Sequence, residues 1–195
     1  PGVSGTGLFT PSAVGPGTYT IKYKYTSNFG CMDSLSQTIR VLDTATARFT
    51  WSALSCERTP VTFNSSTSTI PAGAGTITGW VWNFGDPASG ANNTSTAANP
   101  THTFSYWGNY TVTLQVVSSN GCRSTVRTET VFVNPVPRPS FTVAPSVCLP
   151  SANVQFTNSS SIPDGTEPSF SYLWNFGDPG SGPLNNSTNS GPSHI

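Results

Sequence analysis

Charge is what this sequence has least of. Eight Lys and Arg balance eight Asp and Glu among 195 residues, so the net charge is zero and only 8% of residues are charged. Soluble domains ordinarily carry about 25%. A neutral, charge-poor surface offers no electrostatic footprint for nucleic acid or an anionic membrane, and its solvation must fall to Thr, Ser, Asn and Gly. Methionine occurs once, and there is no long run of helix-forming residues. No segment approaches the roughly 18 consecutive apolar residues of a membrane-crossing helix. No signal-peptide pattern begins at Pro1, so any export signal is expected outside this stretch. Phosphate-binding loops, Gly-rich dinucleotide turns and Gly-x-Ser-x-Gly elbows are also missing.

Aromatic residues are present in strength: 11 Phe, 6 Tyr and 5 Trp. They can fill several small cores, which argues against disorder. Eighteen Gly and 17 Pro are scattered along the chain, and the short β-branched segments between them read as strands and turns. The length allows one or two domains.

The chain repeats itself. Trp82-Asn83-Phe84-Gly85-Asp86-Pro87 returns as Trp174-Asn175-Phe176-Gly177-Asp178-Pro179, 92 residues on. At the same offset Phe49 matches Phe141, Cys56 matches Cys148, and Pro100-x-His102 matches Pro192-x-His194. Val61-x-Phe63-Asn64 corresponds to Val154-x-Phe156-x-Asn158, with one residue inserted. A second match, at an offset of 91, links Gly17-x-Tyr19-Thr20-Ile21 through Gly30-Cys31 with Gly108-x-Tyr110-Thr111-Val112 through Gly121-Cys122. The expected organisation is the end of one unit at 1–44, a complete unit at 45–135, and the start of a further unit at 136–195. The boundaries fall near Asp43–Thr46 and Asn134–Pro139, the latter a stiff, polyproline-like spacer.

Within the complete unit, Tyr110, Val112, Leu114 and Val116 alternate with Thr111, Thr113 and Gln115, the period of a half-buried strand. Asn120-Gly121 marks a tight hairpin, with Arg123–Val133 as the partner strand. Trp80, Trp82 and Phe84 share one face of another strand, and Val61 with Phe63 make a shorter one. About seven short strands around a central Trp strand predict an all-β fold of tandem immunoglobulin-like two-sheet sandwiches.

The order of three motifs carries a resemblance. Trp82-x-Phe84-Gly85-Asp86, then Pro100-x-His102-x-Phe104, then Gly108-x-Tyr110-x-Val112-x-Leu114 resembles a PKD domain over Ala47–Val133, and again over Pro139–Ile195. Asp86 is followed by Pro87 and a long Asn/Thr/Ser loop, where many family members have a short Gly turn. The opening segment resembles a related immunoglobulin-like repeat. Such repeats alternate with PKD units in very large surface proteins of gliding bacteria exported by type IX secretion. The resemblance implies a spacer or adhesive module without catalytic activity.

Each chemical candidate has a plainer alternative. Asp86 and Asp178 are the only candidates for a calcium site, but such a site needs several oxygens, and a turn-capping role for each Asp is the simpler reading. His102 and His194 could act as ligands or bases, yet each recurs at one repeat position, as scaffold does. Tyr106 and Trp107 could stack on sugar rings, or could pack on the end of the sandwich. N-glycosylation sequons begin at Asn64, Asn92, Asn93, Asn109, Asn158, Asn185 and Asn186. Ser34 and Thr44, each after an Asp and before an apolar residue, resemble O-glycosylation sites of such surface proteins.

Cys31, Cys56, Cys122 and Cys148 lack the Cys-x-x-Cys spacing of zinc sites, and in an extracellular protein they are disulfide candidates. A Cys56–Cys122 bond is disfavoured, because the first turn and last hairpin of such a sandwich lie at opposite ends. Staples between neighbouring units are the expectation. No cofactor is expected. Function is expected to be that of an extracellular structural or adhesive repeat, its partners neighbouring repeats, filament subunits or surface polysaccharide. The alternative is an accessory module of a secreted hydrolase. Strand exchange between copies is a further reading, with ordinary continuation of the polypeptide the simpler one.

Overall fold

A computed structural model describes residues 7–53, 55–146, 153–166 and 170–195. The chain divides into one unit that runs to Ser105 and resumes over Asn109–Phe132, and a second made of Tyr106–Gly108 and Val133–Ile195.

The first unit opens with a hairpin, β1 (Gly17–Thr26) and β2 (Met32–Val41), paired residue for residue from Gly17 opposite Val41 to Thr26 opposite Met32. It forms a two-stranded sheet of its own. Nearly every position along it is exposed.

The sandwich follows. One sheet has the order β3 (Thr50–Trp51), β4 (Pro60–Asn64) and β7 (Thr101–Thr103). The other has the order β6 (Thr94–Ser95), β5 (Ile77–Asn83), β8 (Gly108–Ser118) and β9 (Arg127–Val133). Along β8, Val112, Leu114 and Val116 are fully buried and alternate with partly exposed neighbours, as the period-2 pattern requires. With Val131 and Val133 they close over Val61, Phe63, Trp82, Phe84 and Phe104, all at or below 1% exposure. The rings interlock: Trp82 meets Phe49 edge-on at 5.1 Å and lies 5.6 Å from Phe63. The Trp82 indole N–H donates to Ala97 O at 2.9 Å, so burial of the ring leaves no polar atom stranded.

Two local features differ from the sequence expectation. The partner of β8 starts at Arg127 rather than Arg123. Before it, Ser124 pairs irregularly with β8: its hydroxyl oxygen accepts the Val116 N–H while its own N–H donates to Val116 O. The loop after Asp86 is a 3-10 segment, Pro87–Asn93, broken at Gly90, whose φ of +60° lies in the left-handed region.

The second unit repeats the first sandwich in outline. β10 (Phe141–Val143), β11 (Val154–Asn158) and β14 (Ser193–His194) stand where β3, β4 and β7 stand, and in the same order. β12 (Trp174–Asn175) and β13 (Asn186–Ser187) match β5 and β6. A 3-10 segment, Pro179–Asn185, is broken at Gly182 with φ +57°. Among the described residues no strand of this unit is equivalent to β8 or β9. Phe141 and Val143 are accordingly 55% and 42% exposed, against 6% for Phe49.

Candidate functional site

The motif residues of the first unit converge where β5 ends. Asn83 Oδ1 accepts the Gly85 N–H at 2.8 Å, folding the chain back at once. Gly85 adopts φ +70°, and a β-carbon there would stand 2.5 Å from Thr111 O of β8. Only glycine satisfies both the backbone and the space.

The turn delivers Asp86 into the sandwich, where its side chain is 2% exposed. Asp86 Oδ2 accepts the Ser105 N–H at 2.9 Å and the Ser105 hydroxyl at 3.0 Å, and His102 Nε2 lies 3.2 Å away. The Asp86 N–H donates to Asn93 Oδ1 at 2.7 Å. The His102 ring stacks on Phe84 with centroids 4.3 Å apart and planes at 9°, and meets Phe104 edge-on at 4.6 Å. Phe104 in turn packs on Tyr110 at 4.3 Å. One carboxylate thus joins the end of β5 to the end of β7 inside an aromatic cage, where charge-assisted hydrogen bonds are strong because water is excluded.

The expected turn-capping role needs correction at Asp86, whose side chain makes no bond within its own turn. Ser105 and His102 hold it instead. Asp178 does bond within its turn, accepting the Gly180 N–H at 3.2 Å. The rest of the second site follows the first: His194 Nε2 lies 3.3 Å from Asp178 Oδ2, His194 stacks on Phe176 at 4.6 Å, and the Asp178 N–H donates to Asn185 Oδ1. The indole N–H of Trp174 donates to Asn189 O at 2.8 Å.

This donor set does not fit calcium. The ion takes about six to eight oxygens, whereas three donors point at a single oxygen of Asp86. Among the described residues no group of three or more His, Cys, Asp and Glu could hold a metal. The chemistry that remains is structural: a buried acceptor satisfied by donors from a second strand end.

Among the described residues Cys31, Cys56 and Cys122 form no disulfide with one another, and Cys148 lies outside the described residues. Cys31 and Cys122 occupy equivalent hairpin turns, their N–H groups donating to Ser27 Oγ and Ser118 Oγ at 3.2 Å in both cases. Tyr106 is 67% exposed and Trp107 40%, in the turn between β7 and β8. Ser34 and Thr44 lie on the surface, with N–H groups donated to Asp33 and Asp43. Sequence reasoning missed Ser105, which lies beside a motif and repeats nowhere in the chain. It singled out Asn93 and Asn185 only as glycosylation sequons, although their shared offset of 92 marked them as repeated turn residues.

A two-sheet antiparallel sandwich with one tryptophan at its centre and a buried acid tying two strand ends is an immunoglobulin-like domain. Comparison with known families narrows the class: the family model described as PKD domain matches residues 44–133. A microbial collagenase of Vibrio alginolyticus is 39% identical over 74 residues, 38% of this chain and 8% of that protein. Collagenase ColA of Bacillus cereus is 36% identical over 105 residues, 54% of this chain and 10% of that protein. The match therefore spans a tenth or less of either relative. The PKD1 domain of Vibrio cholerae metalloprotease PrtV, a solved structure, is 28% identical, covering 47% of this chain and 98% of that one, with a TM-score of 0.38. Among the described residues no helix is long and apolar enough to cross a membrane.

Proposed function

We propose that the chain is a non-catalytic, extracellular spacer segment of a large surface protein, whose units are adhesive or load-bearing links. One observation carries this reading. The Asp–His–Phe clasp is built twice, 92 residues apart, from the same residue types in the same roles. In the complete unit it is buried, with three donors on Asp86 Oδ2. Such a group braces strand ends. Repetition then gives length, since stability is local to each unit and its neighbours. Its partners in this reading are neighbouring repeats or subunits of a filament, and Ser34 and Thr44 are surface acceptors for glycans.

A second reading, an accessory module that presents substrate or polysaccharide to a catalytic domain, is favoured by the two collagenase relatives. Both readings share one expectation. The 195-residue chain, incubated with fibrillar collagen, gelatin and bacterial polysaccharide, gives no turnover. Binding to collagen or polysaccharide without turnover favours the accessory module; absence of binding favours the spacer. Hydrolysis lost on Asp86→Asn or His102→Gln, with the fold retained by circular dichroism, overturns both.

A further inference from the structure

We propose that Asn120 is a site of self-modification, deamidating through the backbone nitrogen of Gly121, and that the carboxylate so formed releases the β8–β9 turn from the loop ahead of β5. Asn120-Gly121 is the only Asn-Gly pair in the chain. Glycine has no β-carbon to obstruct attack by its own nitrogen, and its backbone is the freest to reach the geometry of attack. The reaction takes no co-reactant but water. The Gly121 nitrogen bonds to Asn120 Cγ, the Cγ–Nδ2 bond breaks, and ammonia leaves with the proton of the Gly121 amide. Water then opens the five-membered succinimide at one of its two carbonyls. Opening at Cγ gives aspartate, and opening at the backbone carbonyl gives isoaspartate.

The fold holds this pair in a docked turn. The Ser118 N–H donates to Cys122 O and the Gly121 N–H to Ser118 O, each at 2.9 Å, with Gly121 at φ +79°. This is a three-residue hairpin loop with glycine in the left-handed position. Its tip is tied to the loop before β5 by three hydrogen bonds. The Ser119 N–H donates to Thr76 O at 2.8 Å, the Ser119 hydroxyl oxygen accepts the Thr76 N–H at 3.2 Å, and the Asn120 side-chain amide donates to Ala74 O at 2.9 Å. The approach is close: a β-carbon on Gly75 would stand 2.4 Å from Ser119 Oγ and 2.7 Å from Asn120 Nδ2. Ala74 is buried at 2% exposure, while Asn120 is open to water.

This arrangement gates the reaction and makes it one-way. In the docked turn the Asn120 amide is engaged by Ala74 O and the Gly121 N–H by Ser118 O, so attack proceeds from the locally opened turn. The product cannot dock again as before. A carboxylate has no hydrogen to donate, and its oxygens would face the Ala74 carbonyl oxygen.

The test incubates the whole chain in mildly alkaline buffer, folded and, in parallel, unfolded in urea. Peptide mapping follows the change of amide to carboxyl at each asparagine, and chromatography separates the two isomers. Because the chain starts from zero net charge, isoelectric focusing resolves each event as well. Asn120 is expected to react ahead of every other asparagine in both states, and about tenfold more slowly when folded. Ser119→Ala removes the acceptor of the Thr76 N–H; it is expected to raise the folded rate about fivefold and leave the unfolded rate unchanged. Asn120→Asp, which mimics one product, is expected to lower hydrogen-exchange protection of the Thr76 and Ser119 amides about tenfold. Its tryptophan fluorescence is expected to stay that of the wild type. Absence of conversion at Asn120 in the folded chain, equal folded and unfolded rates, or a wild-type rate in Ser119→Ala overturns the proposal. So does wild-type protection in Asn120→Asp. The rate comparisons stand whatever Asn120→Asp does to the fold. Failure here leaves the spacer reading untouched, because the chemistry rests on this turn and the loop beneath it alone.

Discussion

The two copies of the Asp–His clasp differ in what lies over them, and the difference isolates what each part of the motif does. In the first unit both side chains are 2% exposed, and Asp86 reaches across to Ser105. In the second, Asp178 is 49% exposed and His194 15%, and the carboxylate turns back to Gly180. The Asn-held turn, the 3-10 segment and the stacked His form in both cases. These are local properties of the motif. In the first unit Ser105, the residue that follows Phe104, draws the carboxylate across the sandwich.

Substitutions made in parallel in the two units sharpen this contrast, with unfolding in urea followed by tryptophan fluorescence as the measurement. The largest expected effect is at the central ring. Trp82→Ala removes a fully buried indole and is expected to destabilise the first unit by about 4 kcal/mol. Trp174→Ala, at a ring already partly in water, is expected to fall well below that. Similar losses at both sites would mean that the second core is as well sealed as the first. Next comes the acid. Asp86→Ala strands the Ser105 N–H, the Ser105 hydroxyl and His102, for an expected loss of about 3 kcal/mol. Asp178→Ala, a half-exposed group, is expected to stay within about 0.5 kcal/mol. If Asp86→Ala proved as mild, the carboxylate would not be the brace described above.

The smallest effect, and the most diagnostic, is at the glycines. Gly177→Ala meets only the left-handed backbone, about 1 kcal/mol. Gly85→Ala meets that strain and a β-carbon 2.5 Å from Thr111 O, and is expected to lose about 2 kcal/mol or more. Equal penalties would remove the close approach of β8 as the reason for glycine.

Much of this fold was legible in the sequence where one periodicity dominates. β8 alternates without a break, the Trp strand declares its buried face, and the offset of 92 marks equivalent turns before any coordinates are known. The shortfalls have a common physical origin. Ser124 displaces the start of β9 because its side chain competes with the ladder, which no pattern of apolar residues records. Asp86 reaches outside its own turn because of a serine 19 residues away, a partnership set by tertiary packing. The 3-10 segment hides in a run of Ala, Ser, Gly and Asn that reads equally well as loop. The offset of 91 placed Cys31 and Cys122 at equivalent hairpin turns.

Asp and His stand 16 residues apart in both units, and between them the sequences diverge: Pro87-Ala88-Ser89-Gly90-Ala91 against Pro179-Gly180-Ser181-Gly182-Pro183. Because the clasp pins the two ends, the entropy of closing the loop is already met by contacts outside it. The stretch 87–91, ahead of Asn93, β6 and Ala97, behaves as an exchangeable cassette. A foreign peptide grafted after Gly90 would be displayed from a fixed frame, with its composition free to vary while β5 and β7 keep their places.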